Sequence, residues 1–464
     1  MNIIPQLKDI VGNDYVLLTK EDFIPYQKDA SYFEGPEPLA IILPKSTEEI
    51  SKIMKLCNNN DIPVVVRGGG SSLTGSSITT KNCVVLSMVR LDKIIDTNIG
   101  DRYIVAEAGV RLDVLNMYLS KFKHFYPPDP ASSIAATVGG SIATNAGGLK
   151  GVSYGATKEW VLGLECVLAD GEIINTGGKV LKRSLGYDLT ALMIGNEGTL
   201  GIITKAILKI APMPETIGRI VAYFDSIELA GNAIGSLKNQ GVTPLMAEFM
   251  DRVSMDAISK TKNISFPKDA NYLLLIDISS TNESINKKLN EALEIIKKSN
   301  PIEIKVTTDP KEMDVMYQAR KGLFSSLLSE KKNIEDSVIT MDIVVPASKL
   351  PETLKEIKNK IDTSGLKGLI AGHIGDGNVH PTVYANMKES TDKKKINDLM
   401  IEIGKIAVRH EGSISAEHGI GLEKKDLLLV EFEEKNTILN IEIMKKIKDI
   451  YDPKNILNRG KLLD

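Results

Sequence analysis

Apolar positions recur along this chain in two rhythms, one of period two and one of helical period. Residues 39–43 form an apolar run bounded by Pro38 and Pro44, which predicts a strand. Ser46 followed by Glu49 is a capping-box pattern, and Ile50, Ile53, Met54 and Cys57 at helical spacing predict a helix ending near Asn58-Asn59-Asn60. Residues 62–66 then read as a short apolar strand, so the segment forms a βαβ unit. Further strands are expected at 84–87, 103–107, 161–168, 173–176 and 202–210. Beyond about residue 215 glycines become sparse and the pattern changes. Strands are expected at 217–225 and 271–279, helices near 226–240 and 283–299, and another strand at 342–345. One helix is expected at 387–410, and the Leu-, Ile- and Lys-rich tail at 425–450 reads as helix. The chain shows no internal repeat and no low-complexity linker.

Composition narrows the class. The chain has 464 residues, 42% hydrophobic and 25% charged, enough for about two to three domains with sizeable cores. Lys+Arg 57 against Asp+Glu 60 gives a net charge of -3, so nucleic acid is not an expected partner. Cys57, Cys83 and Cys166 are scattered, too few for an iron–sulfur cluster and unpatterned for disulfides, which fits a reducing cytoplasm. The N-terminus carries no signal-peptide pattern. The longest apolar candidate, 191–203, is interrupted by Asn196, Glu197 and three glycines, so no membrane helix is expected. Association with a membrane would then go through a partner or a surface patch.

Glycines crowd where chemistry is expected. Arg67-Gly68-Gly69-Gly70-Ser71-Ser72 follows the strand at 62–66, and Thr74 adds another hydroxyl. Successive glycines allow positive φ and let backbone amides converge on an anion such as a pyrophosphate. No helix follows at once, so a dinucleotide-binding Rossmann fingerprint is excluded. A second cluster, Val138-Gly139-Gly140-Ser141-Ile142-Ala143-Thr144-Asn145-Ala146-Gly147-Gly148, follows Pro127-Pro128-Asp129-Pro130 and suits backbone packed against a flat ligand.

Four of the five histidines fall between His373 and His418. In Ala371-Gly372-His373-Ile374-Gly375-Asp376-Gly377-Asn378-Val379-His380, Asp376-Gly377 predicts a two-residue hairpin turn that pairs His373 with His380. Opposed residues share one sheet face about 4.5–5.5 Å apart, so both imidazoles could hold one ion. A longer turn would change the register while leaving the two imidazoles compatible with one site. Ala416-Glu417-His418-Gly419-Ile420-Gly421 adds a carboxylate and an imidazole, and two His with one carboxylate is a recurring divalent-metal set. Arg320, in Tyr317-Gln318-Ala319-Arg320-Lys321, reads on its own as an exposed helix Arg. His410 and His124 are expected to carry no chemistry.

The string from Pro127 to Gly171, PPDPASSIAATVGGSIATNAGGLKGVSYGATKEWVLGLECVLADG, resembles the FAD domain of the vanillyl-alcohol oxidase (PCMH-type) flavoprotein superfamily, as does Gly198-Thr199-Leu200-Gly201-Ile202-Ile203-Thr204. HxGDGNxH and AEHGIG narrow the resemblance to the subgroup of D-lactate dehydrogenases, D-2-hydroxyglutarate dehydrogenases and the glycolate oxidase flavin subunit. The resemblance extends from about residue 35 to the C-terminus. It implies an α+β protein: a two-lobed PCMH-type FAD-binding domain at 1–215, an α/β cap domain with an antiparallel sheet at 216–424, and a helical return at 425–464 packing on the FAD domain. It implies that Arg67, Gly68, Gly69, Gly70, Ser71, Ser72 and Thr74 bind the pyrophosphate. Pro128, Asp129, Ser132, Gly139, Gly140, Ser141, Thr144, Asn145 and Gly147 would line the cofactor. Ile202 and Ile203 would lie near its adenine end or ring edge, with Asn458 and Lys461 close to the flavin.

The pyrophosphate loop offers Ser71 and Ser72 but no His, so noncovalent FAD is expected. His373, His380 and Glu417 would hold zinc, iron(II) or manganese, His418 would be the base, Asn378 would orient substrate or ligands, and Arg320 would hold the substrate carboxylate. The expected reaction is oxidation of a D-2-hydroxy acid, D-lactate favoured over glycolate and D-2-hydroxyglutarate. Electrons would leave to an electron-transfer flavoprotein, an iron–sulfur subunit, a quinone or oxygen. An alkylglycerone-phosphate-synthase-like transferase and a non-catalytic carrier subunit are the competing readings. A homo-oligomer stays open. One departure from the subgroup is Asn458-Arg459-Gly460-Lys461, where relatives often have proline after the Asn.

Overall fold

The structure, a computed structural model, describes residues 3–463. It divides into two compact units. The first takes the residues up to Gly147, Ala156–Met213 and those from Glu417 onward; the second takes Gly148–Gly155 and Pro214–Ala416.

The first unit holds two main sheets among the described residues. One has the order Val16–Leu17, Ala40–Ile42, Val84–Ser87, Val64–Arg67, the last three mutually parallel. Parallel strands need cover on both faces, which is why these read as unbroken apolar runs. Ile41, Val65 and Val85 pack with Phe23 on one side, while Ile42, Val64, Val84 and Leu86 join the main core with Ile50, Ile53, Met54 and Cys57 on the other. Those last four come from the helix Thr47–Asn59. Ser46 caps it by accepting from Glu49 N at 3.2 Å. The reciprocal bond of the expected capping box is shifted by one residue: Glu49 Oε2 accepts from Lys45 N at 2.8 Å. The second sheet is antiparallel, in the order Ile94–Asn98, Tyr103–Glu107, Ile202–Lys209, Val161–Val167, Ile173–Gly177. The C-terminal segment closes this unit: Val64 N donates to Ile456 O at 2.7 Å, and Asn458 N donates to Val64 O at 2.8 Å. The tail is helical as expected, in two pieces. It forms Lys425–Glu434 and Leu439–Tyr451, separated where Asn436 takes φ +55, a left-handed conformation that ends a helix.

The second unit is built on an antiparallel sheet in the order Glu303–Thr307, Thr216–Phe224, Tyr272–Ser280, Met246–Asp251, Lys367–Gly372, Asn378–Asn386, Asp336–Thr340, with Ile343–Val344 also paired to Asn378–Asn386. Side chains alternate between its faces. Val221, Tyr223, Met246, Met250, Leu273, Leu275, Leu369 and Ala371 pack on one side with residues of Arg252–Lys262, Pro310–Lys321 and Leu323–Ser329. The other side carries Ile227–Asn239, Ile285–Lys297, Leu350–Thr363 and Ser390–Arg409. By the same alternation Arg219, Glu248 and Asp277 lie on the first face, among apolar neighbours.

Two carboxylates on this sheet do structural work. Asp251 accepts from Ser254 N and Oγ, both at 2.9 Å, capping the helix that follows, and its other oxygen accepts from Ile370 N at 2.8 Å. It therefore joins the strand Met246–Asp251 to Lys367–Gly372. Burial pushes its carboxyl up to about 6. Asp277 faces Arg219 across the sheet, receiving Nε at 2.6 Å and Nη2 at 2.7 Å, and the same guanidinium bonds the Met313 carbonyl on Pro310–Lys321. Removing one member of a buried pair strands the other's charge. Asp277→Ala should destabilise this unit by about 3–5 kcal/mol in denaturant unfolding, and a second change Arg219→Leu should recover most of that loss. A cost below about 1 kcal/mol, the range of an exposed pair, would contradict the assignment.

Candidate active site

In the first unit the two glycine clusters meet. The strand Val64–Arg67 delivers the chain into the loop that starts at Gly68. Gly68 lies against Thr137, and a Cβ on Gly69 would overlap the Ala135 carbonyl oxygen, so both positions require glycine. Thr137 caps the short helix Val138–Thr144, its hydroxyl accepting from Gly140 N at 3.2 Å. Gly139 packs directly on Ala108, and Asn145 ends the helix in the left-handed region at φ 51. The backbone amides of Gly69, Gly70, Ser71 and Ser72 find no acceptor within the described residues. Consecutive unclaimed amides on a glycine-rich turn form an anion-binding concavity.

The polar candidates divide by what already holds them. Arg67 spends its guanidinium on the carbonyls of Pro25 at 2.9 Å and Ser77 at 3.4 Å, close beside Gly70, so it shapes the loop. Ser72 Oγ accepts from Thr74 N at 3.2 Å and lies 2.8 Å from Ser76 Oγ, a hydroxyl cluster under the turn. The Ser132 carbonyl takes the amides of Ala135 and Ala136, setting the bend that meets Gly69. Pro128 and Asp129 are buried just before it. Ser141 and Thr144 bond back to Val138 O and Gly140 O within the helix. Ile202 and Ile203 belong to the hydrophobic core, opposite Val167 and Cys166.

The segment after Ala416 is bound to these loops. Thr74 Oγ1 donates to His418 O at 3.3 Å, Leu422 N donates to Thr74 O at 2.8 Å, and Glu197 accepts from Ile420 N at 2.7 Å and Gly421 N at 2.9 Å. Burial raises the Glu197 carboxyl above its ordinary range. Glu417 comes against Gly147, where a Cβ would sit 2.6 Å from its Oε2. Asn458 gives its amide to Ser76 O at 3.0 Å and Glu197 O at 2.6 Å, and Lys461 gives its ammonium to Ser76 O at 2.9 Å and Ile78 O at 2.6 Å. Both are structural ties of the glycine loop to the C-terminus. Burial pushes the Lys461 ammonium down to about 8.

In the second unit a polar cluster is buried on the sheet face already described. The hairpin expected at Asp376-Gly377 is wider than two residues. The ladder ends with Ala371 opposite His380, and residues 373–377 form the loop, with Asp376 N and Asn378 N both donating to His373 O. A two-residue hairpin turn needs a positive φ at its first position, and Asp376 does not take one; Ile343–Val344 meanwhile continues the Asp336–Thr340 pairing along the other edge of Asn378–Asn386. Gly377, at φ +92, packs on the Val345 carbonyl. The two imidazoles still converge, 5.1 Å between centroids and edge to face. His373 Nδ1 meets Glu248 Oε1 at 2.7 Å and Oε2 at 2.9 Å; His380 Nδ1 lies 3.3 Å from Met341 O and 3.8 Å from Asp342 Oδ1. Arg320 Nη2 forms an ion pair with Glu248 Oε2 at 2.7 Å but not in hydrogen-bond geometry, and neither it nor the buried Nε has a hydrogen-bond partner among the described residues. Arg320 is therefore buried, where the sequence alone read as an exposed helix position. Asn378 donates to Asp342 Oδ1 and Ile343 O, both at 2.8 Å, so its amide orients Asp342. Asp342 Oδ2 also accepts from Ala416 N at 2.9 Å, immediately before Glu417. His410 pairs with Glu356, and His124 bonds Phe122 O.

Glu248 and Asp342 were not among the expected site residues. Both are fully buried carboxylates inside apolar strand patterns, Met246-Ala247-Glu248-Phe249-Met250 and Met341-Asp342-Ile343, which is the one signal that could have flagged them.

Residues 213–462 match the family of FAD linked oxidases, C-terminal domain, and residues 38–177 match a FAD binding domain. The chain belongs to the FAD-linked oxidases. It is 34% identical over 438 residues to the glycolate oxidase subunit GlcD of Bacillus subtilis, covering 94% of this chain and 91% of that protein. It is 33% identical over 434 residues to a D-lactate dehydrogenase of Archaeoglobus fulgidus, covering 92% of each. Its fold matches that of p-cresol methylhydroxylase with a TM-score of 0.81 at 16% identity, over 98% of this chain and 95% of that one, which confirms the PCMH-type architecture. This FAD-linked oxidase is thus an oxidoreductase of the GlcD and D-lactate dehydrogenase type.

The first unit fits FAD: unclaimed amides at 69–72 suit the pyrophosphate, and the glycines at 68, 69 and 139 leave no volume for side chains. The donor set of the second unit fits a divalent ion. With the proton on Nδ1 of each histidine, facing Glu248 and Met341 O, the Nε2 lone pairs would be the ligand atoms. Gly69→Ala must displace backbone, and overpacking of about 1–3 kcal/mol converts to roughly a tenfold or greater loss of FAD affinity. Gly178→Ala, with open space around it, should leave flavin binding unchanged in the same fluorescence titration. Equal affinity in both variants would contradict the cradle.

Proposed function

We propose that this FAD-linked oxidase converts a small D-2-hydroxy acid, D-lactate foremost, to its 2-oxo acid with noncovalent FAD and a divalent metal. The observation that carries the reading is the burial of Arg320, His373 and His380 together around Glu248 and Asp342. Relatives named glycolate oxidase subunit and D-lactate dehydrogenase support the same substrate class. His373, His380 and Glu417 are assigned to the metal: zinc, iron(II) or manganese by donor type. The bound flavin supplies a hydride acceptor, and the bound ion supplies Lewis acidity that lowers the pKa of a hydroxyl.

The chain's own groups do the rest. Arg320 offers a guanidinium fork to the substrate carboxylate, and its buried, unpartnered Nε strengthens that pairing. His418 takes the hydroxyl proton, a task suited to an imidazole acting as a general base. Lys150 and Lys321 flank the Tyr317 ring at 6.0 and 5.7 Å, on the helix that carries Arg320. These cations keep D-2-hydroxyglutarate among the substrates to test beside glycolate. The three cysteines are buried thiols, so electrons are expected to leave through an electron-transfer flavoprotein, an iron–sulfur partner or a quinone. No helix among the described residues is long and apolar enough to cross a membrane.

Metal-replete protein mixed anaerobically with D-lactate, L-lactate, glycolate and D-2-hydroxyglutarate should lose its flavin absorbance with one D-acid or glycolate, and chelation should abolish the response. His418→Ala should retain FAD and lose about two to four orders of magnitude in reduction rate. No bleaching with any acid would favour the transferase or carrier readings, and a near wild-type rate in His418→Ala would remove the base assignment.

A further inference from the structure

We propose that Glu248 is a positioning residue serving both halves of this site: it orients His373 toward the metal and anchors Arg320 for the substrate carboxylate. The inference rests on the function proposed above. Glu248 sits mid-strand in Met246–Asp251, fully buried, with Met246 and Met250 as its neighbours on the same sheet face. A carboxylate in such a place is costly unless its lone pairs are claimed. Here both oxygens receive His373 Nδ1, at 2.7 and 2.9 Å, and Oε2 also lies 2.7 Å from Arg320 Nη2.

The consequences for each partner differ. His373 has its backbone pinned by the loop, since its carbonyl accepts from Asp376 N at 3.2 Å and Asn378 N at 3.3 Å. Its ring orientation is set by Glu248, which keeps the proton on Nδ1 and makes Nε2 the ligand atom. Such carboxylate–histidine–metal pairs raise ligand basicity, and their loss typically weakens metal binding 10–100-fold. Arg320 meets Glu248 as an ion pair through Nη2 without hydrogen-bond geometry, and its buried Nε has no hydrogen-bond partner among the described residues, which leaves donors for a planar anion. One side chain thus fixes the separation between a metal ligand and the carboxylate receptor.

The test uses FAD-loaded, metal-free protein titrated with Zn²⁺ or Mn²⁺ by calorimetry, comparing wild type with Glu248→Gln, Glu248→Ala and the half-buried edge-strand control Glu303→Gln. Glu248→Gln preserves shape and can still accept from Nδ1, so it should weaken metal binding about tenfold and Glu248→Ala toward a hundredfold. Flavin content should stay unchanged, and Glu303→Gln should bind as wild type. In steady state Glu248→Gln should also raise KM for the acid more than it lowers kcat, because Arg320 loses its anchor. Wild-type metal affinity in both Glu248 variants, with only a lowered melting temperature, would reduce Glu248 to a structural ion pair and overturn the inference. Absence of saturable metal binding by the wild type would instead overturn the metal reading itself, and this assignment with it.

Discussion

The second unit depends on a buried carboxylate having its oxygens claimed by partners. Glu248 is placed by strand periodicity on the apolar face of the sheet, where an unpaired ion would cost far more than the fold could tolerate. Its two cationic or polar partners come from distant stretches of sequence, Arg320 on a helix and His373 on a hairpin loop. Satisfying Glu248 therefore forces those stretches together. Three residues later on the same strand, Asp251 bonds Ile370 N and fixes the strand that leads into His373. Arg219 and Asp277 press the helix of Arg320 onto the sheet by the same logic. The buried polar contacts act less as stabilising energy than as a specification of geometry.

The first unit obeys a different constraint, the close approach of backbone to backbone. Gly68 and Gly69 press on residues 135–137, and Gly139 presses on Ala108. These contacts leave the amides of 69–72 pointing away from any internal acceptor. The C-terminal return locks the arrangement through Asn458 and Lys461, whose polar heads are spent on carbonyls of Ser76, Ile78 and Glu197. Because both groups anchor through side-chain polar atoms, the absence of proline in Asn458-Arg459-Gly460-Lys461 leaves the tie intact.

Much of this was legible from local pattern. The helix capped by Ser46, the apolar parallel strands and the antiparallel strands 216–224 and 272–280 follow from periods that each segment satisfies alone. The convergence of His373 and His380 was legible too, although the turn was not. Asp376-Gly377 favours a two-residue hairpin locally, but only Gly377 takes a positive φ and its carbonyl is claimed by Val345 N from a distant segment, which no local pattern encodes. The break at Asn436 lay hidden in a helical composition for a related reason: one left-handed residue outweighs the propensity of its neighbours. Glu248, Asp342 and the burial of Arg320 were missed because each looks ordinary until its partner is adjacent, and the partners lie 72 residues or more away in sequence in two of the three cases.

The central claim is that His373 and His380 present Nε2 to a single divalent ion on the same buried face that holds Arg320. The most direct measurement is the visible ligand-field spectrum of the Co²⁺-substituted, FAD-loaded protein, recorded as a difference against the Zn²⁺ form. The account predicts saturable bands that change when oxalate or D-lactate is added, that are lost in His373→Ala and His380→Ala, and whose response to oxalate is lost in Arg320→Met. Cobalt bands that survive both histidine changes, or that never saturate, would contradict it.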